Sequence, residues 1–245
     1  MPDASEPTSR EPSVVRLSPT SSVVCLERDA PWAVEQYRKT RTKLVHHPLR
    51  PRLIVITSAS PGDGKTVSAV NLAMTFALRS DGDILLVEAD FRRSCVAKLL
   101  GMPESPGIAN VLSGECELNE AIVQVEQSPR LFVLPAGHSK ANPAELLDRP
   151  KWRLLCDAFR ERFAFTIFDA PPAAAVADYE LIQAACDGIV LVVRQDHTDR
   201  SLLGMSYQLL DEEKMLGVLL NGADDWFLWK TAEPYYAYSG ANGKA

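Results

Sequence analysis

Residues Leu53–Ala73 read LIVITSASPGDGKTVSAVNLA, and this stretch decides the fold. The aliphatic and β-branched run at 53–57 predicts a buried strand. A loop with one proline and two glycines follows, and apolar residues at helical spacing begin at 65. The order of strand, glycine-containing loop and helix predicts a binding loop at the junction of the two elements.

This loop suits a polyphosphate, because backbone N–H groups and the macrodipole at a helix N-terminus attract anions. Gly62 and Gly64 let the backbone approach the ligand. Lys65 supplies a positive charge to the phosphates, and the Thr66 hydroxyl can reach Mg²⁺. The usual pattern is G-x-x-x-x-G-K-[ST], and Ala59 replaces its first glycine, so a plain Gly/Pro turn is the alternative. We expect the nucleotide to bind at Ser60, Pro61, Gly62, Asp63, Gly64, Lys65, Thr66 and Val67.

Two further predicted strands end in acidic residues. The run ILLVEADFRR predicts a buried strand that ends in Glu88, Asp90, Arg92 and Arg93. The i, i+2 spacing of the two acids on a strand points them the same way. The strand predicted at 164–168 ends in Asp169, and two prolines prevent a helix directly afterwards. Carboxyl ends of parallel strands line the ligand crevice, so these acids are expected to face the phosphates and the metal. The alternative for the first pair is to cap the next helix.

Composition excludes several classes of protein. The 245 residues are 46% hydrophobic and 24% charged, which is typical of a globular protein. No apolar run approaches the ~18 residues of a membrane span, and the N-terminus has no apolar signal-peptide core. The net charge of −6 argues against nucleic-acid binding. Five cysteines without C-x-x-C spacing indicate neither a disulfide framework nor a zinc site.

Strands alternate with helices through the rest of the chain. Six strands are expected, beginning near 53, 84, 131, 164, 189 and 215. The segment 118–125 is expected to be helical. The alternation predicts an α/β fold with a parallel sheet and helices on both faces. The phosphate loop and Asp169 place this fold in the P-loop NTPase class. We place this domain at 31–224, after a disordered lead-in at 1–30 and before a flexible tail at 225–245.

Residues near both ends of the chain have two interpretations each. The helix expected at 31–46 carries Glu35, Arg38 and Arg41 at spacings of three, for which a solvated helix face is the simple explanation. The tail holds an aromatic cluster that can serve either as a functional tail or as a packing flap. Its tyrosines are Tyr235, Tyr236 and Tyr238.

The ordered set of motifs resembles the bacterial tyrosine kinases of capsule and exopolysaccharide synthesis, or BY-kinases. The resemblance covers 33–224. It rests on TSASPGDGKT as Walker A, VEADFRR as the second acidic motif, FDAPP as Walker B, LPAG followed by NPAELL, and EQYRKTR as Glu-x-x-Arg-x-x-Arg. It implies an ATP- and Mg²⁺-dependent tyrosine autokinase that phosphorylates its tail. It also implies that Asn221 contacts adenine, although a turn residue in Asn-Gly explains Asn221 equally well.

The resemblance implies a role for each site residue. Lys65 would hold the phosphates, and Thr66 and Asp169 would hold Mg²⁺. Asp90 and Glu88 would serve the metal and the attacking tyrosine. The family's second motif usually reads D-x-D, and Glu88 departs from it by one methylene.

A related class offers a different function. Partitioning and cell-division ATPases share the sheet and use K-G-G-x-G-K-[ST], with a lysine five residues before the Walker lysine. Ser60 occupies that position here. A nucleotide-dependent switch without kinase activity is therefore the weaker alternative.

The resemblance implies partners and a location as well. A kinase of this family without fused membrane spans is expected in the cytoplasm, at the inner face of the membrane, where a protein resembling the polysaccharide chain-length regulators activates it. A cognate tyrosine phosphatase is also implied. Unphosphorylated subunits are expected to form a homo-oligomeric ring through Glu35, Arg38 and Arg41, in which the tail of one subunit enters the site of the next and is phosphorylated in trans. Three phosphotyrosines would add roughly −4.5 to −6 charges per subunit and separate the ring.

Overall fold

The computed structural model describes residues 12–18, 23, 31–103 and 105–223. The tail at 225–245, with its tyrosines, lies outside this part of the chain, and so does most of the lead-in at 1–30. No helix in the described ranges is long and apolar enough to cross a membrane.

Strands and helices alternate from Leu53 onward. The strands are β1 (Ser13–Val15), β2 (Leu53–Ser58), β3 (Ile84–Glu88), β4 (Val123–Val125), β5 (Ser128–Leu134), β6 (Phe165–Asp169), β7 (Gly188–Arg194) and β8 (Met215–Asn221). The helices are α1 (Pro31–Val45), α2 (Lys65–Ala77), α3 (Val96–Leu100), α4 (Ile108–Ser113), α5 (Leu118–Ala121), α6 (Pro143–Leu147), α7 (Pro150–Arg162), α8 (Asp178–Ala185) and α9 (Arg200–Leu209).

The strands form one sheet in the order β1-β4-β5-β3-β6-β2-β7-β8. Among the described pairings, only that of β4 with β5 is antiparallel. The predicted α/β fold is confirmed, and the six expected strands are present as β2, β3, β5, β6, β7 and β8. Because β3, β6 and β2 are neighbours that run in one direction, their carboxyl ends meet at one edge of the sheet.

Two short strands were not expected. Residues 118–125 are helical only over Leu118–Ala121, so the helix prediction is wrong for Val123–Val125, which form β4. Val123 and Val125 are buried against the sheet, but a three-residue strand is too short to show a period. Ser13–Val15, within the stretch predicted as disordered, form β1 and pair with β4. Composition does not reveal a backbone pairing between segments so far apart.

The core has two layers, one on each face of the sheet. Leu53 and Val55 of β2 pack into one layer, and Ile54 and Ile56 pack into the other. Each of the four side chains is at most 1% exposed, and burial of such a side chain contributes about 1.5–3 kcal/mol. Continuous apolar strands of this kind are typical of parallel sheets that helices cover on both faces.

Helix α2 connects the core to the binding loop. It packs against β2, β3, β5 and β6, and its residues 68–77 are buried. Helix α1 covers α2 from outside, where Arg41 Nη2 donates to the Arg79 carbonyl at 3.3 Å and the guanidinium lies 5.9 Å from the ring centroid of Phe76. These contacts hold the C-terminal end of α2, and the packing of its buried residues on the sheet positions its start at the carboxyl end of β2.

Candidate phosphate-transfer site

The loop between β2 and α2 requires its two glycines. Gly62 and Gly64 have φ angles of 90° and 92°, in the left-handed region that other residues disfavour. A Cβ atom on Gly64 would lie 2.1 Å from Asn221 Nδ2, so a side chain does not fit there. Gly64 is also the N-cap of α2, which places the loop at the positive end of the helix macrodipole.

Asp63 connects the loop, through hydrogen bonds, to residues that are distant in the sequence. Its carboxylate accepts hydrogen bonds from the Ser60 N–H at 2.8 Å and from the Thr198 hydroxyl at 2.7 Å. Its carbonyl accepts a hydrogen bond from the Asn221 amide at 2.8 Å. Asn221 therefore lies at the site, where its amide shapes the loop. Thr198 was not predicted, because a threonine 135 residues away carries no local signal.

The turn after β7 contacts the tip of the loop. Arg194 Nη1 donates to the Gly62 carbonyl at 3.2 Å, and His197 Nε2 lies 3.4 Å from the Pro61 carbonyl oxygen. These two residues were not predicted either, because they lie more than 130 residues from the loop in the sequence. The Arg194 guanidinium adds positive charge beside a loop that is suited to phosphates.

Lys65 lies at the centre of the site. Its Nζ atom is 2.9 Å from Asp90 Oδ2 and 3.6 Å from Asp169 Oδ1. The Thr66 hydroxyl donates to Asp169 Oδ2 at 2.8 Å. The structure thus brings together four predicted residues from the start of α2, the segment after β3 and the end of β6.

Burial and charge set the protonation of this cluster. Burial raises the pKa of Asp169 to about 7, against the opposing effects of the Lys65 charge and the Thr66 hydrogen bond. Burial also acts to lower the pKa of Lys65, but the charges of Asp169 and Asp90 outweigh it and raise that pKa. Lys65 is therefore a cation at neutral pH, and a second cation beside Asp169 would favour its ionised form.

Glu88 lies at the same edge of the sheet but contacts other groups. Its Oε1 atom accepts the N–H groups of Cys95 and Val96 at the start of α3, the second at 2.6 Å. Its Oε2 atom accepts the Ala136 N–H at 3.1 Å. Burial raises the pKa of Glu88, and these three N–H groups oppose the rise. The contacts correspond to the helix-capping alternative, in which Glu88 ties β3 to α3 and to the segment after β5.

The groups around Asp169 fit a magnesium nucleotide. Asp169 Oδ1 is buried and accepts no hydrogen bond within the described residues. A carboxylate and a hydroxyl beside a phosphate-binding loop are the ligands that Mg²⁺ uses together with phosphate oxygens. The loop that ends at Gly64 also presents the N-terminus of α2, whose backbone N–H groups attract phosphate oxygens. The residues present therefore suit both ATP and Mg²⁺.

The three residues predicted for the ring interface do not share one set of contacts in the structure. Arg38 Nη1 lies 3.5 Å from Glu35 Oε2 on the outer part of α1. Arg41 instead contacts α2. The tyrosines predicted as acceptors, Tyr235, Tyr236 and Tyr238, lie outside the described residues.

Fold and loop together define the class of protein. A parallel sheet whose β2–α2 junction carries a Gly-Lys-Thr loop, with an aspartate at the end of a neighbouring strand, is a P-loop NTPase. A family model described as "AAA domain" matches residues 51–216. Nucleotide binding is a property of this class.

Relatives define the family more narrowly. The chain is 33% identical to tyrosine-protein kinase YwqD of Bacillus subtilis over 192 residues, 77% of this chain and 80% of YwqD. It is 30% identical to tyrosine-protein kinase CpsD of Streptococcus agalactiae over 203 residues, 81% of this chain and 87% of CpsD. The kinase domain of Escherichia coli tyrosine kinase ETK is similar with a TM-score of 0.75 and 29% identity, over 82% of this chain and 80% of that one. The chain belongs to the bacterial tyrosine-protein kinases, as its motifs predicted.

Proposed function

We propose that this kinase transfers the terminal phosphate of ATP to the tyrosines of its own C-terminal tail, Tyr235, Tyr236 and Tyr238. The observation that carries the proposal is the position of Lys65, between Asp90 and Asp169 at the start of α2. Phosphoryl transfer needs a cation at the phosphates and a carboxylate at the metal, and little covalent chemistry from the protein.

Thr66 and Asp169 would hold Mg²⁺, which when bound supplies charge neutralisation at the phosphates. Lys65 binds and orients the phosphates, and the N–H groups of the loop add further donors. Arg194 and Asn221 keep the loop in the shape that these contacts require. The chain therefore contributes mainly positioning and electrostatic stabilisation.

The proton of the attacking tyrosine does not require a strong base. A phenol with a pKa near 10 and a carboxylate with a pKa near 4 differ by ~6 units, about 8 kcal/mol against full transfer in the ground state. The proton therefore leaves late, after bonding to phosphorus has acidified the phenol. Asp90 is the better proton acceptor of the two predicted acids. Backbone N–H groups bind both oxygens of Glu88. Asp90 has one backbone partner, the Arg93 N–H on Oδ1, and its Oδ2 atom faces the movable side chain of Lys65.

Incubation of the purified protein with ATP and Mg²⁺, followed by detection of phosphotyrosine, tests this function. We expect label on the tail of the wild type and none on Lys65→Met, since the substitution removes the cation at the phosphates. Label at a wild-type rate in Lys65→Met would place the phosphate site elsewhere. Nucleotide binding without any phosphotyrosine would favour the switch alternative.

We also infer that the kinase regulates capsule or exopolysaccharide synthesis and export, at the inner face of the membrane. The BY-kinase motifs support this inference. Members of that family without fused membrane spans act with a membrane protein that resembles the chain-length regulators. A cognate tyrosine phosphatase would reset the tail. A cytoplasmic peptide from a co-encoded membrane protein should raise the autophosphorylation rate, and an unaltered rate would count against this dependence.

We also propose that unphosphorylated subunits assemble into a ring. The exposed Arg38, which pairs with the half-buried Glu35 on α1, can be shared with a neighbour, whereas Arg41 supports α2 within its own subunit. We expect native mass spectrometry to show a ring for the unphosphorylated chain and monomers after phosphorylation. Arg38→Ala should weaken the ring without lowering the melting temperature. Normal assembly of Arg38→Ala would exclude this interface.

A further inference from the structure

The edge strand β8 presents an uncovered apolar surface. It pairs with β7, and its other edge carries no strand in the described part of the chain. Val218 is 60% exposed and Leu220 is 57% exposed. In register they lie beside Leu191 and Val193 of β7, so they extend an apolar face of the sheet past its last strand. Exposed apolar edge strands of this kind attract another strand.

A groove accompanies this edge. A cavity of about 430 Å³ lies between α1 and β8, on the side where the sheet ends. Its walls combine aromatic side chains of α1 with the last residues of β8 and the turn that follows. Residues that line it include Trp32, Tyr37, Leu219, Asn221, Gly222 and Ala223.

The chain itself continues from this groove. Asn221-Gly222 is a strong sequence signal for chain reversal, and Gly222 has a φ of 64°, as a tight turn requires. After Asp224 and Asp225 comes an apolar run, Trp226–Trp229, which reads WFLW. An apolar segment thus begins three residues beyond Ala223, which itself lines the cavity.

We propose that Trp226–Trp229 docks on the free edge of β8 as an antiparallel strand and fills the groove beside α1. A four-residue turn at 222–225 is a common hairpin length, and it places Phe227 opposite Leu220 and Trp229 opposite Val218. Directly opposed residues lie on the same face of a sheet, so these two aromatic rings cover the two exposed side chains. Trp226 and Leu228 then face the groove.

This docking anchors the base of the tyrosine tail. Five residues separate Trp229 from Tyr235, and the six Cα-to-Cα steps between them span at most about 20 Å. Tyr235 is therefore held within that distance of the groove, and Tyr236 and Tyr238 follow within three further residues, which raises the local concentration of the acceptor tyrosines around the kinase domain. The docking does not depend on catalysis, since it needs neither ATP nor Mg²⁺.

Hydrogen exchange followed by mass spectrometry tests the docking on three chains without nucleotide: the full chain, one that ends at Lys230 and one that ends at Ala223. In peptides that cover β8, we expect the first two chains to exchange alike and the third to exchange at least about tenfold faster at the outward N–H groups. The double variant Phe227→Ser/Trp229→Ser of the full chain should resemble the shortest chain. Peptides from β2 should exchange alike in all chains, as a control for the fold.

Two results would overturn the proposal. Equal exchange of β8 in the chains that end at Lys230 and Ala223 would show that the apolar run does not cover the edge. Protection that is lost over a hundredfold dilution would show that a second copy of the chain occupies it. Because no label is measured, these results are independent of kinase activity.

Discussion

Glu88 and Asp169 end neighbouring strands and are partners in the register of β3 with β6. Each is 1% exposed, and burial raises the pKa of both carboxyl groups. They differ in what they contact. Backbone N–H groups from two segments bind Glu88, whereas the side chains of Lys65 and Thr66 contact Asp169.

One edge of the sheet therefore supports both the fold and the chemistry, because the two carboxylates have different partners. A carboxylate whose oxygens are filled by fixed backbone N–H groups holds segments together and has little capacity left for a ligand. A carboxylate that faces side chains which can move is able to exchange them for a metal ion. The position of an acidic residue at the end of a strand therefore predicts that it lies at this edge of the sheet, and the hydrogen-bond donors around it decide whether it supports the fold or the chemistry.

Among the substitutions that compare these acids, Asp169→Asn should have the largest effect. The substitution keeps the shape but removes the charge that would hold Mg²⁺, so we expect the autophosphorylation rate to fall on the order of 100-fold. The Mg²⁺ requirement should rise steeply. Initial rates over a Mg²⁺ titration measure both, with thermal unfolding as the control for the fold. An unchanged titration would remove Asp169 from the metal site.

Glu88→Gln should show the opposite pattern. With one oxygen replaced by an NH₂ group, Glu88 loses an acceptor for the N–H groups of Cys95, Val96 or Ala136. The free energy of unfolding should fall by about 1–3 kcal/mol, while the folded protein keeps most of its kinase rate. Urea unfolding and initial rates below the transition check this. A folded variant that is as inactive as Asp169→Asn would show that Glu88 is also needed for the chemistry and does not only support the fold.

Asn221→Ala tests the loop from outside the two acids. The variant loses one hydrogen bond to the Asp63 carbonyl, worth about 0.5–1.5 kcal/mol. We expect the KM for ATP to rise by up to roughly tenfold, with a smaller change in kcat, because the loop is less well ordered before binding. A variant that changes only the preference between ATP and GTP would indicate an adenine contact instead.

Asp187 extends the comparison to the opposite end of the sheet. Its carboxylate accepts the N–H groups of Arg52 and Leu53 and pairs with Arg160 at 2.7 Å. Burial alone would raise the pKa of Asp187, but these partners outweigh burial and lower it. A lowered pKa contributes stability above about pH 4, which is lost as the pH falls through the folded-state value.

Asp187→Asn should therefore lower the free energy of unfolding by about 1 kcal/mol at pH 7 and by less near pH 3. Urea unfolding of both chains at the two pH values measures the difference. A difference that grows toward pH 3 would contradict the assignment of Asp187 as a carboxylate held by backbone donors.

The fold could be predicted from the sequence where the signals were local. The strand, loop and helix of 53–73 were readable from a few adjacent residues, and the parallel-sheet rule then located Asp169 near Lys65. The roles of other groups depended on distant partners. Glu88 binds Ala136, 48 residues away, and Asp63 binds Thr198, 135 residues away. Short strands such as β4 lack the length that periodicity needs.

One mixing experiment tests most directly whether the site at Lys65 and Asp169 phosphorylates the tail of a neighbouring subunit. Lys65→Met chains keep an intact tail, and chains with Tyr235→Phe, Tyr236→Phe and Tyr238→Phe keep an intact site. With ATP and Mg²⁺, we predict that neither chain alone acquires tail phosphotyrosine and that the mixture acquires it on the Lys65→Met chain. Phosphotyrosine on the tail of Lys65→Met alone, or none in the mixture, would contradict the account.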